Sequence, residues 1–525
     1  MNVNLYGCDG KWLMVDLGLT FAGADYPGVD LVLPDLEFIE KRAKDLVGIV
    51  LTHGHEDHIG AIPYLAADLG IPLYANPFTA TLIRGKLEEE GIAKDVKLNV
   101  VKPGQKLQLG PFGVELVRLA HSIPDMDAAL IDTPYGRVFH TGDWKLDDDQ
   151  VLGESATSAQ MRAIGDSGIL ALVCDSTNAF NAEASGTEGS VRDGLLEAVR
   201  KARGRVVVTS FASNAARLST LGWVAQQTGR TVCVAGRSLD RILTAARANG
   251  YLKGFPPTVD FEAAMALPAN KCLVIATGGQ GEDRAALARI ASGQHQIKVS
   301  EGDTIIFSSK QIPGNEVAIG RIQNALARQN VIMVTEKQAH VHVSGHPGRP
   351  ELATMYDWIR PEILVPVHGE RRHMAEQARF GLSEGIPRAI VQSNGDVVRL
   401  APKGPSIIGH ERTGRLILDG DVIMPADGAT IQERRRISQH GQMSIAIAID
   451  KGANLIGEPE VRMQGVPVED DRDDFVIELR DAAAGAVGNE RNLDKLREKV
   501  RLAVRRVATD WTGKKPIVDV LIIRA

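Results

Sequence analysis

The chain carries a dense group of histidine and acidic side chains directly after a strongly apolar run. Residues 45–51 read Asp-Leu-Val-Gly-Ile-Val-Leu, which predicts a strand buried on both faces, and the next residues read Thr-His-Gly-His-Glu-Asp-His. Imidazoles two residues apart on an extended loop can reach one cation, and the Asp-His pair that follows can turn to a second. Neutral imidazole and carboxylate are ligands of zinc and similar ions. A solvated polar loop explains His53, His55, Asp57 and His58 poorly, so we predict a metal site at the end of a buried strand.

Three further candidate ligands stand just past apolar runs that predict strands: His121, Asp143 and His368. A single histidine at a strand end is usually a hydrogen-bonded structural residue, but three such positions beside the histidine cluster favour metal ligation. Two cations about 3.5–4 Å apart lower the pKa of a shared water and stabilise charge on oxygen. Asp143 is the natural bridge, because a carboxylate offers one oxygen to each cation. Asp16, at the end of an early strand, is predicted to orient a ligand histidine.

Composition places the chain among soluble enzymes of several domains. Its 525 residues suggest two to four domains, and no apolar run approaches the roughly 20 residues of a membrane span. The net charge of −6 argues against binding nucleic acid by bulk electrostatics but leaves a local basic groove open. Four scattered cysteines without a C-x-x-C pair, and an N-terminus without a basic signal region, predict a cytoplasmic protein that has no disulfide framework and no membrane contact.

The pattern of apolar runs and turns changes along the chain. The first part, to about residue 190, mixes short strands with helices in an α/β pattern. From there to about residue 340, helical stretches alternate with apolar runs, which predicts a parallel sheet. Residues 411–436 are polar and end in a run of arginines, and we interpret them as a linker. Residues 437–525 begin with an alternating apolar run and favour a small α+β unit.

The candidate ligands resemble those of the metallo-β-lactamase superfamily. The resemblance implies two ligand sets: one metal on His53, His55 and His121, the other on Asp57, His58 and His368, with Asp143 as the bridge. The long segment between Asp143 and His368 is similar to that of the β-CASP branch, which acts on nucleic acids and is marked by an acidic residue and two histidines. Asp175, His346 and His368 fit these marks. The motifs that begin at residues 174, 210, 308 and 342 are similar in amino-acid sequence to those of the bacterial ribonuclease J family.

This resemblance implies an α/β architecture, a metallo-β-lactamase αββα sandwich with an inserted parallel-sheet β-CASP domain and a small C-terminal α+β domain. The implied boundaries are the metallo-β-lactamase domain at 1–190 and 346–410, the β-CASP domain at 191–345, the linker at 411–436 and the C-terminal domain at 437–525. Chains of this family usually begin further upstream, with a strand and a glycine-rich stretch. We therefore expect that strand to precede Met1 or to be missing, with an effect on Asp16. Pro347 stands where the family commonly has alanine and removes no ligand.

The resemblance also implies a ribonuclease that hydrolyses RNA phosphodiester bonds by a two-metal mechanism. Its expected activities are a 5′-to-3′ exonuclease that favours 5′-monophosphate ends and an endonuclease, in mRNA decay and rRNA maturation. Zinc is the expected metal and manganese the alternative. RNA is the expected partner, together with a second or further copies in a homodimer or homotetramer and with other RNA-decay proteins.

Individual residues receive roles under this resemblance. His346 lies outside the ligand set and is predicted to protonate the leaving 3′ oxygen. Asp175 is predicted to accept a hydrogen bond from His346 or His368 and so to fix the tautomer of that ring. Ser213, His342 and Ser344 offer hydroxyl and imidazole donors for a terminal phosphate.

Other classes of function stay open. A metallo-hydrolase of a small ester, such as a lactonase or thioesterase, needs about the first domain and leaves the inserted domain and His346 without a role. A non-catalytic RNA-binding assembly subunit typically loses metal ligands, whereas every expected ligand is present here. The amino-acid sequences of the motifs disfavour a DNA-processing β-CASP enzyme, but the chemistry of the residues does not.

Overall fold

The computed structural model describes residues 1–23, 25–311, 314–488 and 490–525. Ile312 and Pro313, which belong to the motif that begins at residue 308, lie outside the described residues. The chain forms two compact units. The first unit is Met1–Thr20 with Pro34–Thr413, and the second is Phe21–Leu33 with Gly414–Ala525. None of the helices in these described ranges is both long enough and apolar enough to cross a membrane.

Two β-sheets pack face to face in the first unit. The layer between them holds buried side chains of both sheets, among them Val15 and Val50 of one sheet and Val114, Ile131 and Val173 of the other. The five-stranded sheet has the spatial order Asn4–Cys8, Lys11–Val15, Leu46–Leu51, Leu73–Ala75 and Leu98–Val100. The seven-stranded sheet has the order Arg388–Ala389, Ile363–Val367, Ala171–Asp175, Gly136–His140, Met126–Thr133, Phe112–Leu119 and Lys106–Leu109.

Helices cover the outer faces of these two sheets. Met161 and Met355, from two different helices, pack with Phe139 and Leu172 against the outer face of the seven-stranded sheet. The helix Pro77–Glu89 begins where the Asn76 side chain accepts a hydrogen bond from the amide of Thr79, and it packs against the outer strands of the other sheet. The helices of this part are Glu37–Glu40, Ala43–Asp45, Glu56–Ile59, Ile62–Leu69, Pro77–Glu89, Ser158–Asp166, Arg349–Ile359 and Arg371–Ser383. A small antiparallel sheet pairs Asp396–Arg399 with Ser406–His410. The predicted αββα sandwich is confirmed.

A parallel sheet is inserted between the strands Ala171–Asp175 and Ile363–Val367. Its spatial order is Thr258–Val259, Thr231–Ala235, Cys272–Ala276, Val206–Thr209, Thr304–Phe307 and Ile332–Val334, and every pair in it is parallel. The connecting helices are Ser190–Lys201, Ala215–Thr228, Arg237–Ala248, Phe261–Ala266, Ala269–Lys271, Ala286–Ala291 and Glu316–Ala327. The four central strands are almost entirely buried on both faces, which explains why they read as continuous apolar runs. The parallel sheet predicted for this segment is confirmed.

The described residues of the second unit form two small sheets and three helices. The four-stranded sheet has the order Val422–Pro425, Arg415–Asp419, Leu31–Pro34 and Thr20–Phe21, and the three-stranded sheet has the order Leu455–Gln464, Gln442–Ile449 and Ile517–Arg524. The helices are Ala429–His440, Arg472–Val487 and Leu493–Thr512. Buried residues of both long helices, such as Phe475 and Val500, pack with Ile445 and Val520 of the three-stranded sheet. This is the α+β unit predicted at the C-terminal end.

The prediction of a linker at 411–436 was wrong. Two strands and most of a helix occupy this segment. Ile417 and Ile431 are fully buried there, in a small core with Val29 and Val32. The apolar side chains that stabilise this segment come from the early residues Phe21–Leu33, so its own polar composition did not reveal the fold.

Candidate metal centre and its neighbouring histidine

The candidate ligands meet at one edge of the first unit because each follows the carboxyl end of a strand. Gly136–His140, Ala171–Asp175 and Ile363–Val367 are parallel neighbours, so the residues that follow them emerge on the same edge. Phe112–Leu119 runs in the same direction, since one antiparallel strand separates it from Gly136–His140. The histidine-rich loop leaves Leu46–Leu51 of the facing sheet. Strand direction therefore gathers residues that lie more than 300 positions apart, as His368 and Asp57 do.

Three imidazoles form the first cluster. His55 Nδ1 lies 3.0 Å from His53 Nε2 and 3.2 Å from His121 Nε2. These three nitrogens and a carboxylate oxygen of Asp143 lie within 4.8 Å of one another. Burial and the neighbouring histidines hold the pKa values of His53 and His121 well below their usual range, and burial lowers that of His55 to about 4. The three rings are therefore neutral near pH 7, the form that binds metal.

The second nitrogens of these rings fix which atom faces the cluster. His121 Nδ1 donates to the carbonyl oxygen of Gly345 at 2.6 Å, so its Nε2 carries the lone pair. The Thr52 hydroxyl donates to Asp16 and accepts from His53 Nδ1 at 2.9 Å, which leaves the His53 Nε2 lone pair facing the cluster. Lone pairs that face one another at 3.0 to 3.2 Å repel unless a proton or a cation lies between them. This arrangement fits a cation site.

The second cluster combines two carboxylates with two imidazoles. His368 Nε2 lies 3.1 Å from Asp57 Oδ2 and 3.3 Å from Asp143 Oδ1, and His58 Nε2 lies 3.2 Å from Asp143 Oδ2. Burial alone lowers the pKa of His368, but Asp143 and the hydrogen bond to Asp57 raise it to about 9. Burial likewise opposes the charge on Asp143, yet His368 and His58 hold the pKa of that carboxyl well below its usual range. Two carboxylates and two imidazoles in contact are a typical divalent-metal donor set.

Asp143 belongs to both clusters, as predicted for a bridging carboxylate. Its Oδ2 lies 3.7 Å from His53 Nε2 in the first cluster and 3.2 Å from His58 Nε2 in the second. Within the described part of the chain, the buried atoms Asp143 Oδ1 and His55 Nε2 make no hydrogen bond. Buried polar atoms without hydrogen bonds are rare in folded proteins and often mark a site for an ion or water. The donor set therefore fits two divalent cations.

Side chains outside the ligand set orient the second cluster. Asp16 is fully buried. It accepts from His58 Nδ1 at 2.7 Å and from the Thr52 amide at 2.8 Å, so its geometry fits the predicted orienting role. His368 is held in the same way by Thr177 Oγ1, 2.8 Å from its Nδ1. Partners of this kind select the tautomer of a ligand histidine and hold its ring in place.

His346 lies beside both clusters and is paired with Asp175. Its Nδ1 donates to Asp175 Oδ2 at 2.7 Å, and its ring centroid lies 5.3 Å from that of His121 and 5.4 Å from that of His368. Burial alone would lower the pKa of His346, but the fully buried Asp175 raises it above its usual value. His346 can therefore carry a proton near neutral pH, and its Nε2 is the atom that Asp175 leaves available.

The three residues predicted to hold a terminal phosphate lie in two different loops. Ser344 Oγ accepts from the His346 amide at 3.1 Å and from Asn178 Nδ2 at 2.8 Å, so it belongs to the loop of His346. His342 lies in the same segment, and burial together with Arg217 lowers its pKa to about 3. Ser213 lies just before the helix Ala215–Thr228 of the inserted sheet. No hydrogen bond between described residues joins Ser213 to the other two.

Several residues around this site went unnoticed in the sequence reasoning. The signal for Thr177 and Asn178 is their position directly after Asp175, in the polar end of the motif that begins at residue 174. Asn2 Nδ2 lies 3.1 Å from Asp57 Oδ2 and 3.0 Å from His58 Nε2, and nothing in its local sequence indicated this contact.

A buried ion pair supports the loop of His342 and also went unnoticed. Glu188 and Arg217 are nearly inaccessible to solvent and lie 3.2 Å apart. Arg217 Nη1 also donates to the carbonyl oxygen of Val341 at 3.0 Å, next to His342. Charges are seldom buried without a partner, so the pair holds the inserted sheet and this loop in one arrangement.

Known families match four parts of the chain. The matches are the metallo-β-lactamase superfamily over residues 2–175, the ribonuclease J β-CASP domain over 203–326, the RNA specificity domain of Zn-dependent metallo-hydrolases over 331–387, and the ribonuclease J C-terminal domain over 429–525. The first two agree with the sandwich and with the inserted parallel sheet. The superfamily match and the two donor clusters together indicate a divalent-metal centre.

Relatives match over nearly the whole chain. Ribonuclease J of Sinorhizobium meliloti is 42% identical over 535 residues, which cover 100% of this chain and 95% of that protein. Ribonuclease J of Mycolicibacterium smegmatis is 37% identical and covers 98% of this chain and 92% of its own length. A solved structure of a protein of unknown function from Enterococcus faecalis V583 has a TM-score of 0.51 at 15% identity, covers 79% of this chain and 96% of its own, and supports the fold alone. The chain therefore belongs to the ribonuclease J family of metal-dependent ribonucleases, in the β-CASP branch of the metallo-β-lactamase superfamily.

Proposed function

We propose that the chain hydrolyses RNA phosphodiester bonds as a 5′-to-3′ exonuclease that favours 5′-monophosphate ends, and also as an endonuclease. We assign it to mRNA decay and rRNA maturation in the cytoplasm, as a homodimer or homotetramer that works with other RNA-decay proteins, with zinc as the metal and manganese as the alternative. One observation carries the proposal: two donor clusters share Asp143, and a histidine outside both clusters, His346, lies beside them with Asp175 on its far nitrogen.

The chemistry divides between the cations and the protein. When bound, two divalent cations act as Lewis acids that lower the pKa of water and neutralise charge on a phosphate oxygen. In this proposal His346 donates the proton on Nε2 to the leaving 3′ oxygen, and the hydrogen bond from its Nδ1 to Asp175, which stabilises the protonated ring, supports that role. Asn178 supports this by donating to Ser344 Oγ and to the carbonyl oxygen of His346 at 3.0 Å, which fixes the loop.

The preference for a 5′-monophosphate is proposed to come from donors close to His346. Ser344 lies two residues before His346, and His342 two residues before that. The pKa of His342 near 3 makes its ring neutral at pH 7, so it offers one N–H donor without a positive charge. A terminal phosphate bound by hydroxyl and imidazole donors would set the distance from the chain end to the cut. Ser213 completes the proposed set from the inserted sheet.

The test compares 5′-monophosphorylated with 5′-triphosphorylated RNA of the same sequence. The wild type is expected to degrade the monophosphorylated RNA faster from its 5′ end, and to cut a circular RNA at a slower rate that reports endonuclease activity. His346→Ala is expected to reduce kcat by about 10²–10⁴-fold on every RNA, with metal content unchanged. His340→Ala is the matched control, because His340 is an exposed histidine earlier in the same segment.

The outcomes separate the parts of this proposal. Equal rates on both 5′ ends would contradict the phosphate assignment. An unchanged kcat in His346→Ala would contradict the proton donor. Metal analysis of the purified protein distinguishes zinc from manganese, and its mass in solution gives the number of copies.

A further inference from the structure

A shallow cavity that is open to solvent lies at the edge of the inserted sheet where its strands begin. It has a volume of about 430 Å³ and is lined by residues that precede the strands Val206–Thr209, Thr231–Ala235 and Cys272–Ala276. In a parallel sheet the strand beginnings and the strand ends lie on opposite edges. Ser213 follows the end of Val206–Thr209, so this cavity and the proposed phosphate residue belong to opposite edges of the sheet.

The cavity is lined by four cationic side chains: Arg200, Arg203, Arg230 and Lys271. Among the described residues that line it, none is acidic. Arg200, Arg203 and Lys271 are exposed, and none of them forms an ion pair with a carboxylate in the described ranges. The whole chain has a net charge of −6, so a concave site with four cationic and no acidic side chains differs from the average surface. Such a concentration of one sign of charge raises the local concentration of the opposite ion.

Arg230 is buried at the floor of this site and is held by backbone carbonyls. It is only 7% exposed, and its guanidinium donates to the carbonyl oxygens of Ala202, Gly204 and Cys272 at 2.7, 2.9 and 3.1 Å. The neighbouring Arg205 is equally buried but has a carboxylate, Asp303, at 3.5 Å. No described carboxylate is in ion-pair contact with Arg230, although the charge of Asp303 also favours its protonated form. Backbone carbonyls and the more distant Asp303 therefore partner the charge of Arg230, and the exposed Arg200, Arg203 and Lys271 are the cations that remain for a ligand.

We propose that this cavity binds a phosphate ester of about mononucleotide size. Its volume lies in the range of small-ligand sites, about 300–1,000 Å³. Four positive charges call for a multivalent anion, and a phosphate monoester supplies about −1.5 to −2 charges and three acceptor oxygens. Guanidinium groups bind phosphate through paired hydrogen bonds, and three of the four cations are arginines. A free mononucleotide and the phosphates of an RNA strand share this chemistry.

The test measures the reactivity of single lysines in the intact wild-type protein. An amine-reactive reagent modifies Lys271 in the cavity and Lys253, an exposed lysine of the same inserted domain outside it, and mass spectrometry gives the rate at each. The probes are ADP, for a free mononucleotide, and a nuclease-resistant phosphorothioate oligoribonucleotide, for a strand. We expect a probe to slow the modification of Lys271 several-fold and to leave Lys253 unchanged.

A charge-reversal variant shows whether the cavity itself is responsible. Arg203→Glu places a negative charge at an exposed position, so it preserves the fold and is expected to abolish the protection of Lys271. Arg328→Glu is the control, because Arg328 is exposed at the same edge of the same sheet but does not line the cavity. Protection by ADP identifies a free mononucleotide as the ligand, and protection by the oligoribonucleotide alone identifies the RNA strand. Unchanged reactivity of Lys271 with both probes, or protection that survives in Arg203→Glu, would show that the proposal is wrong.

Discussion

Replacement of Thr177 by valine tests how far the metal centre depends on residues that are not ligands. Thr177 Oγ1 donates to Asp175 Oδ1 at 2.7 Å and accepts from His368 Nδ1 at 2.8 Å. The hydroxyl therefore holds His368 with Nε2 facing Asp57 and Asp143. Thr177→Val keeps the branched shape of the side chain and removes the hydroxyl. We expect the His368 ring to lose its preferred tautomer and orientation.

The cost of an unsatisfied N–H and the usual loss of metal affinity give similar free energies for this substitution. A buried N–H that loses its acceptor costs about 1–3 kcal/mol. Mutation of the partner of a ligand histidine reduces metal affinity about 10–100-fold, which corresponds to about 1.4–2.8 kcal/mol. The cost falls on the metal-bound state, since His368 Nε2 must face the cation there. We therefore expect the Kd of the metal held by Asp57, His58 and His368 to rise about 10–100-fold in Thr177→Val.

Competition with a chelating indicator measures this Kd directly, and metal analysis after dialysis gives the occupancy. Thr177→Ser is the matched control, because it retains the hydroxyl and should retain the affinity of the wild type. The melting temperature of each variant separates loss of metal from loss of fold. If Thr177→Val binds both metals as tightly as the wild type, Thr177 does not hold His368 and the reasoning fails.

Three further variants probe other contacts of the site. Asp16→Asn removes a buried negative charge that accepts from a ligand imidazole, and is expected to weaken metal binding about 10–100-fold in the same chelator assay. Asn178→Ala removes two hydrogen bonds that hold the loop of His346, and is expected to lower kcat about tenfold or more in RNA cleavage while metal content stays constant. Glu188→Gln leaves Arg217 buried without a countercharge, and is expected to lower the free energy of unfolding by about 3–5 kcal/mol in urea titrations.

Each of these variants has a control that the chain itself supplies. Asp9→Asn matches Asp16→Asn, because both aspartates have positive φ angles of 47° and 65° but Asp9 is exposed. Glu183→Gln matches Glu188→Gln at an exposed position of the same loop. An Asp16→Asn protein with unchanged metal affinity, an Asn178→Ala protein that loses metal, or a Glu188→Gln protein as stable as Glu183→Gln would each contradict the contact on which its prediction rests.

Much of the architecture could be predicted because its signals are local. The buried strand before the histidine cluster, the parallel sheet after residue 190 and the last α+β unit each follow from the pattern of apolar residues within a short window. Residues 411–436 could not be predicted in this way. Their core includes Val29 and Val32, and a window around Ile417 contains neither of them.

The same division holds within the candidate site. The types of its ligands and their positions after strands can be read along the chain, because side-chain chemistry and strand patterns are properties of neighbouring residues. Which of them meet depends on how strands far apart in the chain pair and in which direction they run. That pairing brings the Thr177 hydroxyl to a ring 191 positions away and the Asn2 amide to Asp57, 55 positions away. It also buries Arg230 among backbone carbonyls with no carboxylate in ion-pair contact, since burial and hydrogen-bond partners are decided by the packed structure and not by the sequence on either side.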